Sequence, residues 1–111
     1  IPDEVVEVDI IHKRKDYMIA TLKNVIKSSP DRIKPICALF RKCGGCHYQH
    51  ILYSRQLRIK EEIIIDSLRR IGKIKISLDN SLYHKAFYYR KKAQLKVSPM
   101  GNLGFYEPLS H

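Results

Sequence analysis

Val6, Val8 and Ile10 alternate with Glu7 and Asp9, the period-two pattern of a strand with one face buried. A polar turn is predicted from His12 to Asp16. A second strand follows from Tyr17 to Ile26, antiparallel to the first, with Met18, Ala20 and Leu22 on one face. Two strands make no independent fold, so the pair reads as the end of a small sheet or barrel. Lys27-Ser28-Ser29-Pro30-Asp31 is turn chemistry and Pro35 adds a second break, which places a boundary near residue 34.

Beyond it the period changes. Tyr53, Leu57, Ile64, Leu68 and Ile71 recur at helical steps and predict an amphipathic helix whose apolar stripe is core packing. Gly72 is its expected stop, with Arg69, Arg70 and Lys73 complementing the negative end of the helix dipole. A short strand is expected at Ile74–Leu78, then loop to His84. Lys92–Val97 alternates as a strand should. Ser98–Asn102 makes a turn, and Leu103–Tyr106 returns as the hairpin partner. The order strand, strand, loop, helix, hairpin makes the chain α+β, with no βαβ repeat.

Of the 111 residues, 44% are hydrophobic and 29% charged, a globular rather than a disordered composition. No apolar run is long enough to cross a bilayer and no signal peptide stands at the start, so no membrane association is expected. The chain opens on Ile1 and ends at Ser110-His111, and reads as a piece of a longer protein. The net charge of +10 is unevenly placed. Residues 1–34 carry seven Lys/Arg against six Asp/Glu, whereas residues 35–111 carry fourteen against five. That imbalance fits a polyanionic partner, nucleic acid or an anionic membrane surface; a solvated basic face kept for solubility is the plainer reading.

All three cysteines fall within ten residues, as Cys37-Ala-Leu-Phe-Arg-Lys-Cys43-Gly44-Gly45-Cys46. An odd, crowded count does not make a disulfide framework. It suggests reduced thiolates binding metal in the cytoplasm. Two cysteines two residues apart can turn both sulfurs onto one centre, and the glycines let amide groups approach those sulfurs. Arg41 and Lys42 add positive charge that favours thiolate. Three thiolates are one short of a complete site for a [4Fe–4S] cluster or structural zinc. The fourth ligand either lies outside the chain or is a histidine, His50 being better spaced than His47. Three structural or merely reactive thiols remain the other reading.

The run from Cys37 through Cys43-Gly-Gly-Cys46-His-Tyr-Gln49 to Tyr53, Gln56 and Lys60 resembles the RNA (uracil-5-)-methyltransferases of the RumA/TrmA type. There a CGGC motif leads into a helix with Gln, Tyr, Gln and Lys at these intervals. Ile1–Val5 and Ser29–Arg32 resemble the last strands and exit of a TRAM domain, the family's OB-like RNA-binding barrel. Tyr89-Arg90-Lys91-Lys92-Ala93-Gln94 resembles the family's YRNKAQ strand, with Lys91 where Asn often stands, and Leu103–His111 resembles the hairpin that follows. The resemblance runs along nearly the whole chain. It implies that residues 1–34 end a TRAM domain and residues 35–111 begin a cluster-bearing central domain.

By that resemblance Cys37, Cys43 and Cys46 are three ligands of a [4Fe–4S] cluster whose fourth cysteine lies past this chain. The S-adenosylmethionine-binding domain and every catalytic residue lie there too, so this piece alone is expected to be inactive. RNA is the implied partner, ribosomal rather than transfer RNA. Arg41 and Lys42, with Tyr89, Arg90, Lys91 and Lys92 on an expected strand from Tyr88, are its candidate contacts. Basic side chains hold phosphates while tyrosines stack on bases; of the neighbours Tyr88 and Tyr89, one is expected in the core. A self-contained zinc module using His50 is the competing reading. A ferredoxin-like electron carrier fits neither the cysteine spacing nor the charge.

Overall fold

A computed structural model of the chain describes residues 1–108 and 110. The fold is α+β. Two compact units follow one another along the chain, Ile1–Arg32 and Ile33–His111.

The first unit is an antiparallel ribbon of β1 (Val5–Lys13) and β2 (Met18–Lys27). β1 runs past His12, so the turn is shorter than the sequence suggests. It spans Arg14 to Tyr17 and is closed by the Arg14 amide donating to the Tyr17 carbonyl at 2.8 Å. Val6 faces Val25, Val8 faces Leu22 and Ile10 faces Ala20, so apolar residues meet directly across the ribbon. Three register shifts interrupt the ladder, at Val5/Val6, Glu7/Val8 and Ile10/His12, each adding twist where an extra residue is accommodated. The apolar face is not half buried as its alternation implies: Val6 is 41% exposed and Ile10 58%. A two-stranded ribbon has no second layer of its own on which to lay that face.

What fixes the ends of the ribbon is Glu4, whose side chain is only 2% exposed. Arg32 donates to it from Nε and Nη2, both at 2.6 Å, and the Ser29 amide adds a bond at 3.1 Å. The Arg32 guanidinium, helped by that amide, holds the Glu4 carboxyl far below the usual carboxylate range. Ser29 is buried and turns the chain, its hydroxyl accepting from the Asp31 amide and its carbonyl from the Arg32 amide.

The second unit is organised around Ile51, 3% exposed and the one buried apolar residue among those described. Helix α1 (Tyr53–Arg70) starts directly after it. Tyr53, Leu57 and Leu68 of the expected stripe are half-buried, but Ile64 is 48% and Ile71 82% exposed, so the stripe is only partly core. The stop also differs from expectation. Lys73, not Gly72, takes the left-handed conformation, with φ 56°. Gly72 is required for space instead, because a Cβ there would lie 2.9 Å from the Leu68 carbonyl oxygen.

Ile74 donates its amide back to that Leu68 carbonyl at 3.0 Å, and residues 74–78 form no strand. The chain stays irregular until a two-residue ladder pairs β3 (Lys96–Val97) with β4 (Leu103–Gly104). Both strands are shorter than Lys92–Val97 and Leu103–Tyr106. One reason is visible: the Tyr106 carbonyl accepts from the Gly44 amide at 2.8 Å, so its backbone is committed to the cysteine loop. The turn lies where the sequence puts it, with Gly101 at φ 81° and the Ser98 amide donating to the Asn102 carbonyl. Of the stretch Leu103–His111 that carries part of the family resemblance, Leu109 and His111 lie outside the described residues.

Candidate functional site: the cysteine loop and the basic segment

The loop before α1 is a chain of tight turns. Phe40 donates its amide to the Cys37 carbonyl at 3.1 Å, while Lys42 and Cys43 both donate to the Leu39 carbonyl at 3.0 and 2.9 Å. To close this double turn Arg41 adopts φ 76°, a left-handed conformation that costs a residue with a Cβ about 1 kcal/mol. Its side chain is exposed, as is that of Lys42.

Two glutamines hold the loop in place. Gln49 accepts the Cys37 amide on Oε1 at 3.2 Å. Gln56, one turn into α1, folds its Nε2 back to the carbonyls of Tyr48 and Ile51 at 3.1 and 2.8 Å. The Ile33 amide donates to the His50 carbonyl at 3.0 Å, and the His50 and Phe40 rings lie 5.4 Å apart. Both glutamines stand in the run that carries the family resemblance. Their positions were visible in the sequence, but their task, tying polar backbone of a loop to a helix, was not.

At Cys43-Gly44-Gly45 the fit is close. The Gly45 amide donates to Cys43 Sγ at 3.4 Å. A Cβ on Gly44 would meet the Tyr106 carbonyl oxygen at 2.8 Å, and one on Gly45 would lie 3.1 Å from the Phe105 ring and 3.4 Å from Cys43 Sγ. Neither glycine has positive φ, so the pair serves close approach rather than unusual backbone. Cys43 is half-buried, whereas Cys37 and Cys46 are exposed.

Three thiols with an amide aimed at one of them are a donor set suited to a thiophilic cluster. Among the described residues, however, no three His, Cys, Asp or Glu side chains are gathered closely enough to hold a metal ion. His50 is not gathered with the three cysteines into such a group.

The basic segment is different in kind. Residues 88–92 form no strand, and Tyr88 sits at φ 59°. Tyr88 is 97% exposed and Tyr89 60%, so neither is core; the alternation that would bury one of them requires a strand. Arg90, Lys91 and Lys92 are all exposed. Nearby, Lys96 Nζ stands 6.0 Å from the centre of the Tyr106 ring, at the outer limit of a cation–π contact.

A cleft of about 530 Å³ opens between the first half of α1 and residues 78–83, lined by Tyr53, Arg58, Glu61, Asp79 and Tyr83 among others. Ser81 donates its hydroxyl to Glu61 across it. No sequence signal marked this cleft. Among the described residues no helix is long and apolar enough to cross a membrane.

No family model matches the chain. Over 112 residues it is 39% identical to a protein of Clostridium tetani named an uncharacterised RNA methyltransferase, a match covering 97% of this chain and 24% of that protein. A protein of the same name from Aquifex aeolicus is 41% identical over 107 residues, covering 95% of this chain and 25% of its own length. One from Prochlorococcus marinus is 35% identical over 120 residues, covering all of this chain and 28% of its own length. The chain thus spans about a quarter of the length of the curated relatives it matches.

Proposed function

We propose that this homologue of proteins named RNA methyltransferases forms the RNA-gripping, cluster-bearing part of an S-adenosylmethionine-dependent RNA (uracil-5-)-methyltransferase. The observation that supports the reading is similarity over at least 95% of the chain to proteins named RNA methyltransferases, together with the CGGC run at Cys43–Cys46. In this reading residues 1–34 close a TRAM domain and residues 35–111 open the central domain. The protein works in the cytoplasm on RNA, ribosomal rather than transfer RNA.

Cys37, Cys43 and Cys46 would hold three irons of a [4Fe–4S] cluster, with the fourth ligand supplied from outside the chain. When bound, the cluster supplies rigidity and charge to an RNA-facing surface rather than methyl-transfer chemistry. This chain's own residues bind and orient. Arg41 and Lys42 flank the cysteines, while Arg90, Lys91 and Lys92 meet phosphates and Tyr89 offers a face for stacking. The covalent steps belong to other residues of the longer protein. There a thiolate would add to C6 of a flipped uridine, C5 would be methylated with S-adenosylmethionine as donor, and a base would take the C5 proton as the C6–sulfur bond breaks and frees the thiolate.

The test is iron, sulfide and zinc content of anaerobically prepared protein, beside Cys43→Ser. Iron and sulfide that vanish in the variant support the reading. Stoichiometric zinc without iron, lost also in His50→Ala, overturns it in favour of a self-contained zinc module.

A further inference from the structure

Cys43 differs from its two neighbours in how it is held. Its sulfur accepts the Gly45 amide, its own amide is fixed to Leu39, and it alone of the three is half-buried. The turn that carries it is backed by a segment more than sixty residues away in sequence. Gly44 donates to the Tyr106 carbonyl at 2.8 Å, and the Phe105 ring lies so near Gly45 that a methyl group there would crowd it at 3.1 Å. Cys37 is tied only through its backbone, its amide on Gln49 and its carbonyl accepting from Phe40, and it is exposed, as is Cys46.

We propose that Phe105 and the Tyr106 carbonyl are the positioning groups of the cysteine loop: they clamp the Gly44-Gly45 turn so that Cys43 is set in place as a ligand beforehand, while Cys37 and Cys46 stay open and close onto the cluster afterwards. This rests on the cysteines being ligands, but the clamp itself does not. The physical reason is entropic. A ligand already fixed costs no ordering when metal arrives, and the exposed pair keeps the entrance open. It also accounts for the doubled glycine, since a Cβ at Gly44 would collide with the Tyr106 carbonyl oxygen and one at Gly45 would crowd the Phe105 ring.

The test is site-resolved alkylation of the full chain with iodoacetamide, read by mass spectrometry, each cysteine's rate being divided by its rate in denaturant. Cys43 is expected to be protected about ten-fold more than Cys37 or Cys46. Phe105→Ala should abolish most of that difference and leave Cys37 unchanged, and Phe105→Leu should restore it. A general loss of structure would instead expose all three together, which the same spectra report, and Gly45→Ala provides a second route to the same turn. Equal protection of the three cysteines in the unaltered chain, or unchanged Cys43 protection in both Phe105→Ala and Gly45→Ala, overturns the proposal. Reconstitution with ferrous iron and sulfide separates the two readings. Protection without any iron uptake leaves the clamp standing and removes the cluster. Uptake that slows in Phe105→Ala supports both.

Discussion

The cysteine loop and the basic segment carry all the candidate site residues, and they are built in opposite ways. From Ile33 to Gln56 the backbone is tied by amides donating to the carbonyls of Cys37, Leu39, Tyr48 and His50, by two glutamines, and by the distant Tyr106 carbonyl. Between Tyr88 and Lys92 there is no ladder, and both tyrosines face solvent. A group that must meet several ligand atoms at fixed distances needs a stiff support. A group that follows a phosphate backbone works as a mobile charge, ordered when its partner arrives. Under the proposed function, the tied loop suits the first demand and the unladdered segment the second.

The sharpest way to break the comparison is hydrogen exchange. Amides of Ile33, Cys43 and Gly44 should exchange on the order of 100-fold more slowly than those of Tyr89 to Lys92; similar rates would erase the distinction. Next in size is Gln56→Ala, which leaves the carbonyls of Tyr48 and Ile51 without their side-chain donor beside the most buried apolar residue. It should cost about 2–3 kcal/mol in denaturant titrations followed on the second unit.

Glu4→Gln, in the first unit, should cost about 2 kcal/mol, and it sharpens the contrast with a third kind of support, one that titrates. The folded-state pKa of Glu4 is lowered, first by Arg32 and then by the Ser29 amide. Its contribution is therefore complete above the ordinary carboxylate value of 4.5 and is lost as pH falls below it. Acid unfolding of the ribbon should begin below that point in the parent and show no such step in Glu4→Gln. Arg41→Gly relieves a left-handed backbone and should gain about 1 kcal/mol while weakening RNA binding. Smallest in stability is the triple change of Arg90, Lys91 and Lys92 to Ala, within about 0.5 kcal/mol. Its effect belongs in the salt dependence of RNA binding, whose slope should fall by about 2 on single-stranded RNA.

Sequence pattern located what depends on local periodicity. The helix was legible because Tyr53, Leu57 and Leu68 share one face, and the β1–β2 ribbon because Val6, Val8 and Ile10 alternate. Strands at 74–78 and 88–92 were expected and are absent, since a strand exists only where a partner offers its ladder and alternation names no partner. The conformations of Arg41 and Lys73 were also invisible, because the turns closed on the Leu39 and Leu68 carbonyls impose them against residue preference. The glycines and cysteines stood out by their spacing, but the backing of Gly44 by Tyr106 joins positions no local window contains.

The bulged ribbon has a consequence for how the protein keeps company with itself. Val8, Ile10 and Leu22 present oily surface beside open strand edges, the ingredients from which fibrils are templated. The register shifts leave those edges crooked, so a second copy finds no straight rail to zip along. Lys13 and Lys27 lie on the paired strands and their like charges oppose close approach of copies, whereas Lys23 is paired with Glu7 at 3.1 Å. Deleting the extra residue at Ile11 would remove one of the three shifts and, on this view, make the ribbon stickier.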